Sequence, residues 1–219
     1  MKKSTTSEMG RRSIRNRKAD RLSSLPDEVL SHILSFLPLK VAAETSILSK
    51  RWRNLWTTVT NLHCGDDLSE LLNPDNDLKN SLFGYAGFVD RVLISNSAQI
   101  QKFSLSCYSK YDPNCVAILV SEAIRRDLRE LELYIYTGWS IELPMCLFTC
   151  NSLEVLRLHG KIDIPGKIDI PDSFWIPNLK VLCINRIRDV FPLKFMQNLF
   201  RCCPGLEDVI LIGFLRLEQ

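Results

Sequence analysis

The sequence predicts an α/β fold, in which a small three-helix unit is followed by a partial solenoid with a parallel β-sheet. Two observations predict it. Apolar residues recur at helical spacing before residue 60, and a short apolar motif returns five times after residue 99 at nearly constant intervals. With 219 residues, the chain is long enough for both parts.

The chain begins with a basic segment. Residues 1–20 carry seven lysines and arginines against two acidic residues, a charge of +5, whereas the whole chain carries +3. Because this segment has almost no apolar residues, we expect a disordered tail. Arg11–Lys18 fits a nuclear-import signal or a weak nucleic-acid contact, and equally a solvated tail. The remaining residues carry −2, so the sequence disfavours a fold that binds nucleic acid.

Residues 21–60 predict a unit of three short helices. Pro26-Asp27-Glu28 fits the first turn of a helix, where proline loses no hydrogen bond and acidic side chains suit the helix dipole. The second helix is expected over Leu39–Ser46 and the third over Lys50–Thr58. Because so small a unit has a small core, we expect a partner protein to cover part of its apolar surface. The alternative is a helical hairpin that only packs on the solenoid. The apolar positions are Val29, Leu30, Ile33, Leu34 and Leu37, and then Trp52, Leu55 and Trp56.

The C-terminal part repeats a motif with apolar residues at its first, fourth and sixth positions. Its copies start 28, 25, 26 and 27 residues apart, within the period of about 20–29 residues that is typical of leucine-rich repeats. Each copy predicts one short strand, and stacking in parallel predicts a solenoid. The copies are Ile100, Phe103 and Leu105; Leu128, Leu131 and Leu133; Leu153, Leu156 and Leu158; Leu179, Leu182 and Ile184; and Leu206, Val209 and Leu211.

The segments between the copies predict helical or irregular returns. Lys161–Ile170 contains a doubled KIDIPG sequence, which we interpret as an extended loop. Two helical stripes precede the second and fifth strands; they are formed by Val116, Leu119, Val120, Ala123 and Ile124, and by Phe195, Leu199 and Cys202.

Alternation along each strand places the residues between the motif positions on the open face of the sheet. Their mixture of charged, aromatic and aliphatic side chains suits a specific protein target better than phosphate or a membrane. Solvation without a ligand remains the alternative at each position, because few residues of an interface carry its energy. The open face is predicted to hold Lys102, Ser104, Ser106, Glu130, Glu132, Tyr134, Val155, Arg157, His159, Val181, Cys183, Asn185, Asp208, Ile210 and Ile212. We expect target contacts from Glu130, Glu132, Tyr134, Arg157, His159, Asn185 and Asp208.

The sequence argues against an enzyme, a membrane protein and a secreted protein. No apolar run approaches the roughly 18 residues of a membrane span, and the N-terminus lacks the order of a secretory signal. We therefore expect an intracellular protein of the nucleus, the cytoplasm or both. His32, His63 and His159 lie in unrelated contexts, without the motifs of hydrolases, phosphate loops or zinc sites. The eight cysteines form no C-x-x-C pair, which favours structural thiols over a metal site. We expect no cofactor and no metal.

The helical unit also resembles a known family. The matching order is Leu22-Ser-Ser-Leu25-Pro26-Asp-Glu28-Val-Leu30, Ile33-Leu34-Ser-Phe36-Leu37-Pro38, Ala42–Thr45-Ser46 and Leu48-Ser49-Lys-Arg51-Trp52-Arg53-Asn-Leu55-Trp56. It resembles the F-box family, whose three-helix motif binds a Skp-family adaptor and, through it, a cullin and a ubiquitin-loading RING subunit. The resemblance implies that the residues that pack on the adaptor or brace the motif are Leu25, Pro26, Ile33, Leu34, Leu37, Leu48, Trp52, Leu55 and Trp56.

The repeats are similar to those of plant F-box/leucine-rich-repeat proteins, which often carry a further C-terminal FBD-like domain. The similarity lies in Cys150-Asn-Ser-Leu153-Glu-Val-Leu156, Pro177-Asn-Leu179-Lys-Val-Leu182 and Cys203-Pro204-Gly-Leu206-Glu207-Asp208. By comparison with that family the chain reads as short at its C-terminus, because Gln219 follows a repeat strand without a polar cap.

The resemblance implies a substrate-recognition subunit of an SCF-type ubiquitin ligase, with an unknown protein as its target. The alternative is a truncated scaffold or decoy that binds the adaptor without delivering a substrate. The expected divisions are a tail over 1–20, an F-box over 21–60, a linker and first helical return over 61–98, and about five repeats over 99–219.

Overall fold

The structure is a computed structural model that describes residues 21–22, 24–64, 99–107, 113–136, 140–163, 174–190 and 193–214. The predicted disordered tail, the linker from residue 65 to 98 and residues 164–170 of the doubled segment lie outside these residues.

The N-terminal unit contains two α-helices and two 3₁₀ segments. Helix α1 spans Asp27–Leu34 and helix α2 spans Leu39–Glu44; each is preceded by a proline that opens it without losing a hydrogen bond. A 3₁₀ turn over Thr45–Ile47 follows, and a 3₁₀ helix spans Trp52–Thr58. The described unit thus has four helical segments, so the predicted count of three is not confirmed; the second helix is shorter than predicted and the segment over Trp52–Thr58 is not α-helical.

Threonine side chains give a physical reason for the tighter turns. The hydroxyl groups of Thr45, Thr57 and Thr58 each donate to the carbonyl oxygen three residues earlier, at distances of 2.6 to 2.7 Å. Such bonds compete with the regular α-helical pattern. The helical spacing of the apolar residues therefore predicted the position of the third segment but not its type.

Six parallel strands form the main sheet, in the order β1-β2-β3-β5-β7-β8. The parallel sheet predicted from the repeated motif is confirmed. Strands β4 and β6 pair in a second, two-stranded sheet. The strands span Asn61–Cys64 (β1), Lys102–Cys107 (β2), Glu130–Ile135 (β3), Ile141–Glu142 (β4), Val155–Gly160 (β5), Ile162–Asp163 (β6), Val181–Val190 (β7) and Asp208–Phe214 (β8).

The repeated motif sets the register of the sheet. Phe103 of β2 pairs with Leu131, which pairs with Leu156, so equivalent positions of successive copies lie side by side. The same register continues into β7 and β8. Motif residues of the first four copies are buried on the inner face, as predicted, whereas those of the fifth copy are partly buried.

Backbone hydrogen bonds join the strand entrances in a regular ladder. The carbonyl oxygen of Gln101 accepts the amides of Arg129 and Glu130, and the carbonyl oxygen of Arg129 accepts the amides of Glu154 and Val155. The carbonyls of Thr60, Glu154 and Lys180 each accept two amides from the next strand entrance in the same way, at 2.8 to 3.3 Å. Each copy therefore fixes the start of the next.

Strand β1 lies where the sequence predicted a linker and a helical return, over residues 61–98, so that division is wrong at its start. Asn61–Cys64 pairs with β2 in parallel, with Leu62 beside Phe103. Val59, Leu62 and Cys64 are buried and have the same spacing as the repeated motif. The motif thus begins one copy earlier than predicted, 41 residues before the next copy.

In the described part of the chain, two further α-helices lie between the strands, as predicted, and a 3₁₀ helix over Met145–Thr149 lies between β4 and β5. Helix α3 spans Pro113–Ile124 and helix α4 spans Leu193–Cys202. Val116, Leu119, Val120 and Ala123 are fully buried under the sheet, and Ile124 packs against the same core. Leu199 and Cys202 of α4 also contact that core, while the side chain of Phe195 lies outside the described part of the chain.

The interpretation of Lys161–Ile170 as an extended loop is wrong at its start, because Ile162–Asp163 forms β6 and pairs with β4. The chain enters β6 through Gly160, whose φ is +97°. A Cβ atom at this position would overlap the carbonyl oxygen of Ile135, so only glycine fits there.

One continuous core joins the helical unit to the sheet. Leu30 and Leu34 of α1 and Trp52 of the 3₁₀ helix belong to the same buried cluster as the inner residues of the strands. The chain itself therefore covers part of the apolar surface for which we expected a partner: Trp52 is 6% exposed and Trp56 packs against the chain's own core.

Candidate functional site

The helical unit has a buried face and an exposed face. Of the nine positions predicted to contact an adaptor or brace the motif, Leu34, Trp52 and Leu55 are buried within the chain itself. Their position is that of bracing residues. Three others are partly buried against the same core: Leu25, Leu37 and Trp56.

The remaining three predicted positions are exposed, namely Pro26, Ile33 and Leu48. Near them in the sequence lie exposed large apolar side chains that were not predicted as contact positions. Phe36 is 72% exposed and Ile47 is 85% exposed, next to Leu48 at 64%. We use the name exposed apolar cluster for the full set: Leu22, Val29, Ile33, Phe36, Val41, Ile47 and Leu48.

The size of this cluster distinguishes it from ordinary surface. It contains half of the exposed large apolar side chains found among the described residues, within 27 positions of the sequence. Isolated apolar side chains are normal on protein surfaces, but a concentration of them marks an interaction site. Membership was not predictable from spacing alone, because Val29 and Ile33 belong to the same helical stripe as the buried Leu30 and Leu34.

Two side-chain contacts tie the start of the unit to its end. Arg51 contacts the Asp27 carboxylate through Nε at 2.8 Å and Nη2 at 2.6 Å, and its Nη2 also donates to the carbonyl oxygen of Leu25. The hydroxyl groups of Ser31 and Thr58 are hydrogen-bonded at 2.7 Å. Both contacts cross between α1 and the segment around the 3₁₀ helix, 24 to 27 residues away.

A second candidate surface is the open face of the sheet, where an ion-pair network lies at the centre. Glu132 of β3 is only 9% exposed, and one of its carboxylate oxygens lies 3.0 Å from Lys102 Nζ and 3.0 Å from Arg157 Nη1. Lys102 also lies 3.6 Å from the Glu130 carboxylate. These groups face each other because the register places the even-numbered residues of β2 and β3 and the odd-numbered residues of β5 side by side.

An aromatic pair lies next to this network. The rings of Tyr134 and His159 stack with centroids 4.5 Å apart and an interplanar angle of 7°. Burial, and then the Glu132 carboxylate, raises the pKa of Tyr134. Burial lowers the pKa of His159, and the Arg157 cation lowers it as well, while Glu132 acts in the opposite direction. Both shifts favour neutral rings, so this part of the face is a flat, uncharged platform.

The face changes character towards β8. Asn185 lies beside His159 and is half-buried, whereas Asp208, Ile210 and Ile212 are exposed. About half of the surface of each isoleucine is accessible. The seven residues predicted to contact a target thus lie on one continuous face, and the two isoleucines expose apolar surface on the same face.

A family profile described as the F-box domain matches residues 22–63, which include the helical unit and the exposed apolar cluster. The chain carries an F-box domain. Its relatives confirm the predicted resemblance. F-box protein At3g03040 of Arabidopsis thaliana is 40% identical over 87% of this chain. F-box/LRR-repeat protein At4g14103 and FBD-associated F-box protein At4g10400 of the same organism are each 37% identical over 88% and 87% of this chain. The chain spans 40%, 49% and 44% of these relatives' lengths.

The profile match extends beyond the helices of the F-box domain into β1, because it ends at His63. The F-box domain and the sheet therefore share a strand as well as a core. This places the exposed apolar cluster and the open face of the sheet on a single packed body.

No group of three or more histidine, cysteine or acidic side chains is placed to hold a metal ion among the described residues. Burial raises the pKa of Cys64 and of Cys203 to about 12, so both are thiols at neutral pH. The three histidines lie on α1, β1 and β5. Among the described helices, none is both long and apolar enough to cross a membrane.

Two cavities differ in character. A void of about 30 Å³ lies in the core beneath β5 and β7 and has only apolar lining, such as Phe148, Leu156 and Leu182. It is far smaller than the roughly 300 Å³ at which ligand pockets begin. A shallow polar depression of about 330 Å³ lies at the strand entrances, lined by Asn61, Gln101, Lys102, Arg129, Glu130, Glu154 and Val155.

Proposed function

We propose that the chain is the substrate-recognition subunit of an SCF-type ubiquitin ligase. In this proposal the F-box domain docks on a Skp-family adaptor, which links it to a cullin, and the open face of the sheet binds a protein target. The single observation that carries the proposal is the exposed apolar cluster, because the F-box domain already fills its other face with the chain's own core.

The energetics favour a protein partner for this cluster. Burying one large apolar side chain contributes roughly 1.5–3 kcal/mol, so covering even three of these residues favours association substantially. Interfaces gain most from a few well-buried apolar anchors surrounded by less important contacts. Phe36, Ile47 and Leu48 are the most exposed members and are the anchors we expect. Pro26 and Ile33 are the predicted positions that remain accessible beside them.

The sheet supports the second half of the proposal as a leucine-rich-repeat solenoid. Its motif recurs in register from β1 to β8. Between each pair of neighbouring strands in the main sheet, one carbonyl oxygen accepts two amides at the start of the next strand. Relatives of this chain carry the name F-box/LRR-repeat protein. In such a solenoid the side chains on the open face vary without disturbing the core, which suits target recognition.

The chain itself supplies proximity in this scheme. Holding a target beside a ubiquitin-loaded subunit converts an encounter in solution into a tethered one, which raises the effective concentration. The proposal requires no cofactor and no catalytic residue in this chain. It places the protein inside the cell, in the nucleus, the cytoplasm or both.

Adaptor capture by purified protein tests the docking half. The triple variant Phe36→Ser, Ile47→Ser, Leu48→Ser removes three exposed side chains and leaves the core intact, so we expect it to fold and lose adaptor binding. Ile118→Ser on α3 is the matched control, since Ile118 is an exposed aliphatic residue outside the cluster. Isothermal calorimetry with a Skp-family adaptor gives the affinities. Equal affinity for wild type and triple variant would refute the docking assignment.

Target capture tests the recognition half and separates a receptor from a decoy. Proteins that copurify with the chain and the adaptor are identified with wild type and with Arg157→Ala, Ile210→Ser, Ile212→Ser. A receptor captures at least one protein that is lost in the variant and whose cellular abundance falls when wild type is expressed. A scaffold or decoy captures adaptor equally well with both and changes no such protein.

A further inference from the structure

Arg51 joins two segments that each carry part of the exposed apolar cluster. Its guanidinium contacts the Asp27 carboxylate and the Leu25 carbonyl oxygen, so one side chain binds both the turn before α1 and the first residue of α1. Leu22 and Pro26 are exposed in the first segment. Ile47 and Leu48, exposed in the second segment, precede Arg51 by four and three residues.

The contact is suited to positioning more than to stability. The Arg51 and Asp27 side chains are 35% and 62% exposed, and ion pairs in water contribute little to folding. The Leu25 carbonyl is different, because it lies two residues before α1, outside the hydrogen-bond pattern of the helix, and accepts from Arg51 Nη2. The forked, planar guanidinium contacts the carboxylate through two nitrogens while one of them also donates to the carbonyl, and lysine, with a single nitrogen, lacks the two-nitrogen contact.

We infer that Arg51 is a positioning residue for adaptor docking: it clasps the Leu25–Asp27 turn so that the two exposed apolar segments of the F-box domain form one preformed surface. This inference rests on the proposed function of the F-box domain. A surface held in its bound arrangement loses less conformational entropy on association and binds more tightly. Without the clasp, Leu22 and Pro26 move independently of Ile47 and Leu48, and the adaptor must order them.

Four variants of the full chain separate positioning from general structure. Arg51→Gln removes the contacts of the guanidinium with Asp27 and Leu25. Asp27→Asn removes the carboxylate charge of the ion pair and leaves the Leu25 contact, and Arg51→Lys keeps the cationic charge without the fork. Arg53→Gln is the matched control, since Arg53 is an exposed arginine two residues along the same segment. Adaptor affinity is measured by calorimetry, and folding by the thermal midpoint and circular dichroism.

We expect Arg51→Gln to weaken adaptor binding about tenfold, which corresponds to one charge-assisted hydrogen bond, with a thermal midpoint close to wild type. Asp27→Asn should lose less affinity than Arg51→Gln, and Arg51→Lys should recover only part of the loss. Arg53→Gln should bind as wild type does. In a double-mutant cycle, the effects of Arg51→Gln and Leu48→Ala on affinity should not add, because both act on one surface.

The outcomes distinguish this inference from the proposed function. If wild type does not bind the adaptor, the proposed function fails. If wild type binds and Arg51→Gln binds equally well, or if Arg53→Gln loses as much affinity, the inference fails while docking stands. A fall in the thermal midpoint with unchanged affinity of the folded protein would also overturn it, since Arg51 would then serve folding alone.

Discussion

The helical unit and the sheet solve the same problem of apolar burial in different ways. In the sheet, each inner residue is covered by equivalent residues of the neighbouring strands, and residues such as Leu131 and Leu156 are almost fully buried. In the helical unit, one face packs on that core and the other leaves Ile47 and Leu48 in water. The small size of the helical unit therefore does not by itself explain its exposed apolar side chains, because a core lies next to the unit and only one face of the unit packs on it.

The largest expected effect is a difference in stability between two variants, each of which truncates one leucine, in the sheet or in the helical unit. Leu131→Ala removes a fully buried side chain from the middle of the sheet and should lower the free energy of unfolding by about 3 kcal/mol. Leu48→Ala removes the same atoms from an exposed position and should change it by less than about 0.5 kcal/mol. Urea denaturation of both variants measures the difference. A large loss in Leu48→Ala would mean that the exposed apolar cluster is part of the chain's own core.

The next effect concerns the turn from β5 into β6. Gly160→Ala forces a side chain into a left-handed backbone conformation and against the Ile135 carbonyl, so we expect a loss of about 2 kcal/mol in unfolding free energy. Asp127→Gly is the control of opposite sign, since Asp127 has φ of +56° and glycine relieves that conformation. Thermal unfolding of the two variants should therefore shift in different directions. If Gly160→Ala unfolds as wild type does, the close approach of β5 to Ile135 is wrong.

A smaller effect is expected from charged residues of the sheet, where the centre of the open face and the strand entrances can be compared. Glu132→Gln removes the charge that pairs with both Lys102 and Arg157 in a nearly buried setting and should cost about 1–2 kcal/mol in stability. Lys180→Gln breaks the ion pair between Lys180 and Glu154 at the solvated strand entrances, where the loss should be smaller than for Glu132→Gln. Denaturation in low and high salt compares them. Equal losses of stability in the two variants would show that the centre of the open face is as solvated as the strand entrances.

The smallest expected effect is a pH dependence of the stability that His159, stacked on Tyr134, contributes. Burial lowers the pKa of His159 below its ordinary value of 6.5, so between the two values the unfolded chain binds more protons than the folded chain. The contribution of His159 to stability is therefore complete above pH 6.5 and is lost as the pH falls through the folded-state pKa. Comparison of wild type with His159→Gln between pH 8 and pH 5 measures it.

Tyr134→Leu is the control for this pH dependence, because removal of the stacked ring exposes His159 to water. In the Tyr134→Leu background, the pH-dependent difference in stability between the protein with His159 and its His159→Gln variant should then be smaller. A wild-type stability that rises relative to His159→Gln as the pH falls below 6.5 would contradict the assigned direction.

The parts that could be predicted from the sequence are those that repeat. The interval of 25 residues between the second and third copies already places Tyr134 beside His159 and Glu132 beside Arg157, as the register shows. Strand β1 was missed because its motif, Val59 to Cys64, lies 41 residues before the next copy and ends in a cysteine. A period search with a free gap and with cysteine counted as apolar would have found it.

The parts that could not be predicted depend on contacts without a period. Trp52 and Ile47 are both large apolar residues in neighbouring segments, yet one is buried and the other is not. Their difference follows from how the 3₁₀ segments turn, and the threonine hydroxyls that favour those turns leave no signal in apolar spacing. The contact of Arg51 with Asp27 and Leu25 is likewise a result of folding, since more than 20 residues separate the partners.

The backbone hydrogen bonds that join the strand entrances have a consequence for how the sequence of such a chain can diverge in evolution. The residues that supply these carbonyl oxygens differ in side chain, but each accepts two amides at the start of the next strand. They are Thr60, Gln101, Arg129, Glu154 and Lys180. Alignment of the strands is thereby independent of side-chain identity at these positions and of the length of the intervening returns. Segments between strands can lengthen or shorten, and outward-facing residues can be exchanged, while each strand still starts level with its neighbour.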